Sequence, residues 1–240
     1  MIRIAVIGLG QIGGSLVLAL RAAGVDAHII GIEPSLRRRK LMRNYLNESS
    51  TRWDAADYSD LIFICLHFNL LQKYLKTTTT SALIVDVCSS KEQVVKTANT
   101  RNLRMIGGHP MAGNEQKGER GWDVSLFQKK PFFLCPAGIS TSADRRRLTA
   151  LLRKIGCQPI VVNSAKHDQA VAITSHLPAL LAHSYVKLAR GIPEEFKGPG
   201  FHSFTRPGRC SIELLKTFMN SNAKNIRKAV ARLKRKMVRV

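Results

Sequence analysis

The chain opens on an apolar run of strand length, Ile2 to Ile7, broken only by Arg3 and leading directly into a glycine-rich turn. Short apolar runs bounded by turn residues read as buried strands, and apolar positions recurring every three to four residues read as helices. On that basis Ser15 to Ala23 is a helix closed by Gly24, Ala27 to Ile32 a second strand, and Arg37 to Leu46 a second helix. Leu61 to Leu66 and Leu83 to Val87 are further strands separated by a short helix, Phe68 to Lys76, and Leu103 to Ile106 delivers the chain to His109. Strands at Pro131 to Cys135 and Pro159 to Val162 flank a helix from Ser142 to Ile155 that Gly156 ends. Strand and helix alternate throughout, which predicts an α/β fold with a parallel sheet wound on both faces. From Ser164 onward the pattern holds helices only, Ser164 to Arg190 and Ser211 to about Arg239, so a smaller all-helical domain is expected over residues 164–240 after a first domain of residues 1–163. In the last helix Ile226, Val230, Leu233 and Met237 fall on one stripe, expected to be core or subunit interface.

The first turn carries chemistry. Gly8-Leu9-Gly10-Gln11-Ile12-Gly13 sits between a strand and a helix, the context of a Rossmann-type dinucleotide site. Gly8 makes the turn, Gly10 lets backbone approach a pyrophosphate, and Gly13 packs helix on strand. Gln11 and Ile12 lie in the same turn, and Leu66 ends a neighbouring strand; all are expected cofactor contacts. The second strand ends at Glu33, twenty residues past Gly13, the spacing of an acid that binds a ribose 2′-hydroxyl. A carboxylate there favours NAD, because it repels a 2′-phosphate. Arg37, Arg38, Arg39 and Lys40 follow closely and keep NADP open as the alternative to a solvated basic face.

Two candidates stand where ligands of such sheets bind, beyond the carboxyl ends of strands. Asp86-Val87-Cys88-Ser89-Ser90-Lys91 follows one strand, and Gly107-Gly108-His109-Pro110-Met111-Ala112-Gly113 follows the next. Removing hydride from a carbinol carbon requires an acceptor for the hydroxyl proton, and imidazole ionises nearest to working pH. His109 in a glycine-rich turn is that candidate. Ser89 is placed to bond a substrate hydroxyl or the imidazole, and Lys91 to meet a carboxylate or phosphate, against the alternative of a helix cap.

Composition narrows the class. With 240 residues and 45% hydrophobic content the chain can fill two cores. No apolar run approaches the length of a membrane span, and no charged leader precedes the first strand, so a cytoplasmic protein without membrane attachment is expected. The five cysteines are scattered without a CxxC pair, which argues against disulfides or a metal site. The formal charge is +22, from 38 basic and 16 acidic residues. Residues 205–240 hold eleven basic side chains against the single acid Glu213. Such a segment can attract nucleic acid, an acidic partner or an anionic substrate. No aromatic residue follows Phe218, so a stacking platform for single strands is missing and nucleic acid is not the favoured partner.

Taken together, Gly8 to Leu16, the D-x-x-S-x-K of Asp86 to Lys91, Gly108-His109-Pro110-Met111-Ala112-Gly113, His167-Asp168, Ser175-His176-Leu177-Pro178 and Thr205-Arg206 resemble the prephenate and arogenate dehydrogenases of tyrosine biosynthesis. The resemblance spans Met1 to about Arg206. It implies NAD-dependent oxidative decarboxylation of a cyclohexadienyl acid, with hydride leaving C4 of the ring, His109 taking the C4 hydroxyl proton, and the ring carboxylate leaving as CO₂. It further implies that Ser89 orients the hydroxyl and His109, that Arg206 holds a substrate carboxylate, that His176 faces the cleft from the second domain, and that this domain forms a homodimer. The substrate would be a small dianionic or zwitterionic cyclohexadienyl compound. Ala179 stands where the family usually has a second histidine associated with prephenate, which brings arogenate into consideration. Phe201-His202-Ser203-Phe204 replaces the family's acidic residue before Thr-Arg, with His202 a possible substitute, and Pro207 interrupts any helix continuing from Arg206. A catalytically diverged nucleotide-binding protein with a basic tail is the reading from another class.

Overall fold

The structure is a computed structural model that describes residues 1–114 and 116–238. The chain divides into two units, residues 1–164 and from Ala165 onward. In the first, eight strands form one sheet: β1 Ile2–Ile7, β2 Ala27–Ile32, β3 Glu48–Ser50, β4 Leu61–Ile64, β5 Leu83–Asp86, β6 Arg104–Pro110, β7 Pro131–Gly138 and β8 Gln158–Val161. Their order is β3-β2-β1-β4-β5-β6-β7-β8.

Helices α1 Gln11–Ala22, α2 Leu36–Met42, α3 Phe68–Thr77, α4 Glu92–Thr100 and α5 Ser142–Lys154 belong to the same unit. Side chains alternate across β1 and feed two separate cores. Ile4 and Val6 join Leu16 and Leu20 of α1 and Leu148 and Leu152 of α5 on one face. Ala5 and Ile7 join Leu71 and Leu75 of α3 and Val94 and Ala98 of α4 on the other. That division is the double winding predicted from alternating elements.

Strands β1 to β6 are mutually parallel, whereas β7 runs antiparallel to β6 and β8 follows β7, so the last two strands oppose the rest. A parallel return requires a crossover helix, and between Pro110 and Pro131 the described residues hold only the 3-10 turn Gly118–Gly121. β6 extends to Pro110, so His109 lies in a strand opposite Phe133 and not in the glycine-rich turn expected for it. Thr141 and Asp144 cap α5 reciprocally, and Asp144 also accepts from Arg104 of β6, tying that helix to the sheet.

The second unit contains α6 Ser164–Val171, α7 Leu177–Leu188, α8 Pro199–Thr205 and α9 Ile212–Met237. The single helix expected from Ser164 to Arg190 is interrupted by a π-helical turn at Ala172–His176. Inside α9, Asn222 departs from helical geometry at φ −138° and ψ 24°. The core joins Ala172, Ala179, Leu215, Phe218 and Ile226. The apolar stripe of α9 is therefore split, since Ile226 is in this core while Val230 and Met237 remain 46% and 68% exposed. Arg206 follows α8 and begins a 3-10 turn, Arg206–Arg209. Gly208 allows that turn to press on α7, because a Cβ there would lie 2.5 Å from the His183 main-chain nitrogen. Among the described residues no helix is long and apolar enough to cross a membrane.

Candidate active site

The turn after β1 is shaped for backbone approach. Gly8 has φ +92°, and a Cβ there would meet the Cys65 carbonyl oxygen at 2.6 Å and Leu66 Cδ2 at 3.1 Å. A Cβ on Gly13 would sit 1.9 Å from the Gly8 carbonyl oxygen. At Gly10, by contrast, nothing lies within 4 Å of that position. Two glycines are thus demanded by the protein's own packing, and the middle one leaves an open approach at the start of α1, where no acidic side chain occupies the first turn. This is the cradle that an anionic pyrophosphate needs. Ile12 is half-buried against the adjoining core.

Glu33 is buried, and its carboxylate binds the turn itself: Oε2 accepts from the Leu9 N–H at 2.9 Å and Oε1 from the Ser35 N–H at 2.9 Å. Arg38 approaches Oε2 at 3.5 Å. The residues after His109 then cross the turn. Gln11 Nε2 donates to the carbonyls of Asn114 at 3.1 Å and Gln116 at 2.8 Å. The Trp122 indole donates to the carbonyls of Leu9 at 3.2 Å and Gly10 at 3.0 Å, and the Asp123 N–H donates to Ser15 Oγ at 2.9 Å. Glu119 binds both Arg37 and Arg38. Neither Trp122 nor Glu119 follows from the fingerprint, since both come from a distant loop.

Because β1, β4, β5 and β6 are parallel, their carboxyl ends share one edge of the sheet. That brings Ser89, beyond β5, and His109, at the end of β6, to the edge that bears the glycine turn. The ladder between β5 and β6 stops at Val85 and Ile106, and side chains take over from there. Asp86 Oδ1 accepts from the Gly108 N–H at 3.1 Å, and Oδ2 from the Cys88 N–H at 2.9 Å and from Lys91 Nζ. Lys91 Nζ also donates to the Gly108 carbonyl at 2.6 Å. Both side chains are fully buried. The expectation that Lys91 meets a ligand is corrected: the carboxylate it meets is Asp86, and its ammonium is enclosed by protein. A side chain at 108 would strike the Asp86 carbonyl oxygen at 2.3 Å, so glycine is required where this pair grips the strand. The adjacent His109 is 8% exposed, its ring 6.4 Å from that of Phe133.

His176, expected to face a cleft, is instead wholly buried. Its ring stacks on Phe218 at 4.2 Å. Burial lowers its pKa to about 4, against the raising effect of Asp168. Asn222 Nδ2 contacts both the Asp168 carbonyl at 2.8 Å and His176 Nδ1 at 3.2 Å, while its Oδ1 accepts from Asn225 at 2.8 Å. A carbonyl accepts only, so the amide nitrogen faces the ring and Nδ1 accepts. The proton of the neutral imidazole then lies on Nε2, a buried atom with no hydrogen-bond partner among the described residues. Asn222 is not recognisable as a site residue from its surroundings in the sequence, a basic helix. A cavity of about 310 Å³ in this unit is bordered by Thr174, Ser175, Ala179, Cys210 and Phe218. Arg206 is exposed, and His202 Nε2 lies 3.4 Å from Glu194. Burial pushes the Cys88 and Cys157 thiols up to about 12, so neither is a nucleophile near neutral pH.

The chain matches the prephenate dehydrogenase nucleotide-binding domain over residues 16–161 and the prephenate dehydrogenase dimerization domain over residues 163–240. It is 27% identical over 196 residues to the prephenate dehydrogenase of Lactococcus lactis, a match covering 78% of this chain but only 53% of that protein. It is also 27% identical over 236 residues to the cyclohexadienyl dehydrogenase of Zymomonas mobilis, covering 92% of this chain and 80% of the relative. Among solved structures, Synechocystis arogenate dehydrogenase is 26% identical with a TM-score of 0.83, covering 99% of this chain and 90% of that one. The Aquifex aeolicus prephenate dehydrogenase solved with hydroxyphenyl propionate and NAD+ is 22% identical with a TM-score of 0.89, covering 100% and 89%, and shows the shared fold. With both domains matched in order along nearly all of its length, the chain belongs to the prephenate dehydrogenase family.

Proposed function

We propose that the protein catalyses NAD-dependent oxidative decarboxylation of prephenate. The observation that carries this reading is His109 at the clamped end of β6, on the sheet edge that also bears the open glycine cradle. NAD, held by Gly8, Gly10, Gln11, Ile12, Gly13, Leu66 and Glu33, supplies the hydride acceptor. His109 takes the proton of the ring hydroxyl as the C4 hydrogen departs with its electron pair, and the electrons of the breaking bond to the carboxylate complete the aromatic ring. Ser89 orients the hydroxyl. Asp86 and Lys91 act through the backbone, holding Gly108 and hence the imidazole next to it. In the second unit we assign Arg206 to a substrate carboxylate, for which a guanidinium has matching geometry, while His176, buried against Phe218 and Asn222, is assigned to shaping the helical core.

Arogenate is the second reading, favoured by Ala179, which places a methyl group at the border of the cavity where a further histidine would otherwise stand. The homodimer assigned here is built on the second unit, where Val230 and Met237 expose apolar surface. The test is a spectrophotometric assay crossing prephenate and arogenate with NAD and NADP, on wild type and His109→Asn. Turnover reduced about 10²–10⁴-fold in the variant, with NAD still bound, is expected for loss of a general base. Absence of turnover with every pairing, or an active His109→Asn, refutes the assignment.

A further inference from the structure

The four basic residues that begin α2 would ordinarily offer a ready site for a 2′-phosphate, and the structure accounts for three of them. Arg39 donates to the main-chain carbonyls of Glu33 at 2.5 Å and Pro34 at 3.0 Å. Arg38 spans two carboxylates, with Nε 3.0 Å from Glu119 Oε2 and Nη1 3.5 Å from Glu33 Oε2. Arg37 Nε lies 3.3 Å from the other oxygen of Glu119. Each oxygen of Glu119 therefore serves a different guanidinium. The contact is built into the backbone: Gly118 has φ +59°, and a Cβ there would come within 2.7 Å of Arg38 Nη2. The Glu119 carboxyl is held below the usual range by its own N–H and by Arg38, so it stays charged in this setting.

We propose that Glu119 is a second cofactor-selecting carboxylate, which engages Arg37 and Arg38 and so denies a 2′-phosphate the cations it needs. The inference rests on the dinucleotide reading above. Glu33, Glu119, Arg37 and Arg38 form a cluster of zero net charge. A 2′-phosphate brings about −1.5 to −2 charges and is stabilised by paired guanidinium groups, but here it meets two carboxylates already holding those groups. A ribose 2′-hydroxyl carries no such charge and is not opposed. Removing the Glu119 charge leaves the cluster at +1, with Arg37 released and Arg38 held by Glu33 alone.

The experiment is calorimetric titration of the full chain with NAD+ and with NADP+, without substrate. In Glu119→Gln the ratio of the NADP+ Kd to the NAD+ Kd is expected to fall roughly tenfold or more, the effect of one additional charge-assisted hydrogen bond to the phosphate. Glu119→Asp should hold the wild-type ratio, and Glu119→Gln with Arg38→Gln should return towards it. Glu119→Ala serves as a second variant and should shift the same way. An unchanged ratio in Glu119→Gln and Glu119→Ala, a change that survives replacement of both Arg37 and Arg38 by Gln, or a wild type that prefers NADP+ overturns the proposal. A wild type that binds neither dinucleotide ends both it and the dinucleotide reading, while turnover is scored separately by the substrate assay.

Discussion

Replacing Lys91 by Met tests whether the Asp86–Lys91 pair holds the end of β6 that bears His109. Lys91→Met keeps the length of the side chain and its apolar stem but deletes the ammonium. In the fully buried site, Asp86 would lose its counter-charge while keeping the N–H groups of Cys88 and Gly108 as donors. The Gly108 carbonyl would lose the donor that lies 2.6 Å away. Stranding one member of a buried ion pair costs about 3–5 kcal/mol, a large share of the roughly 5–15 kcal/mol that stabilises a typical domain. Asp86→Asn with Lys91→Met removes both charges, so the double variant should be less destabilised than the sum of the two single variants by about 1–3 kcal/mol. Urea unfolding followed by tryptophan fluorescence measures each term. In the variants that fold, kcat should fall more than the KM for NAD rises if His109 is the proton acceptor proposed, because the clamp holds Gly108 next to it directly and reaches Leu66 only through Cys88. A Lys91→Met protein within about 1 kcal/mol of wild type, or strictly additive variants, would refute the reasoning.

Three further outcomes follow. Glu33→Ala should weaken NAD binding more than NADP binding, and should also destabilise by about 1–3 kcal/mol because the Leu9 and Ser35 N–H groups lose their acceptor; equal loss of both cofactors in titrations would show that this carboxylate does not select. His176, with its folded pKa lowered to about 4 from 6.5, resists a proton that the unfolded chain accepts, so its contribution to stability should decline by roughly 3 kcal/mol as pH falls from 6.5 to 4 and then level off. Its imidazole resonance in NMR should stay unprotonated above about pH 5, and a midpoint near 6.5 would exclude this. Asp144, held at about 2 chiefly by hydrogen bonds from Arg104, should contribute roughly 1–2 kcal/mol above about pH 4 that disappears between about pH 4 and 2, visible as a stability difference between wild type and Asp144→Asn that closes at the acid end.

The first unit is legible in the sequence where local patterns decide local structure. β1, α1 and β2 are specified by an apolar run, three glycines and Glu33 at fixed spacing, and each of those features has a single structural consequence. β3 leaves no such trace, because Glu48-Ser49-Ser50 is a polar edge strand, formed by pairing with β2 and lacking an apolar signature. The reversal of β7 depends on what the preceding loop does not contain, which periodicity cannot report. Proximity to a strand end predicts a ligand contact for Lys91, whereas its burial beside Asp86 is decided by the packing of β5 against β6. The stripe on α9 is readable as apolar, but only contact with α7 and the π-turn determines that Ile226 is covered and Met237 is not. Glu119 and Trp122 reach the glycine turn through a loop whose path no spacing rule describes.

The two histidines show how one residue type is given different work by its surroundings. His109 lies near the end of a strand whose neighbouring peptide is gripped from both sides by a charged pair, so its position is fixed through backbone. His176 is fixed through its ring: Phe218 stacks on the face, Asn222 dictates which nitrogen carries the proton, and burial keeps the group neutral. A neutral imidazole with Nδ1 occupied can only donate from Nε2, and it does so without the hydration that a cation would demand. The π-turn that ends at His176 supports this division. An extra residue in a helical turn costs backbone geometry, is found mostly at functional sites, and here re-aims the chain just where the buried donor is placed.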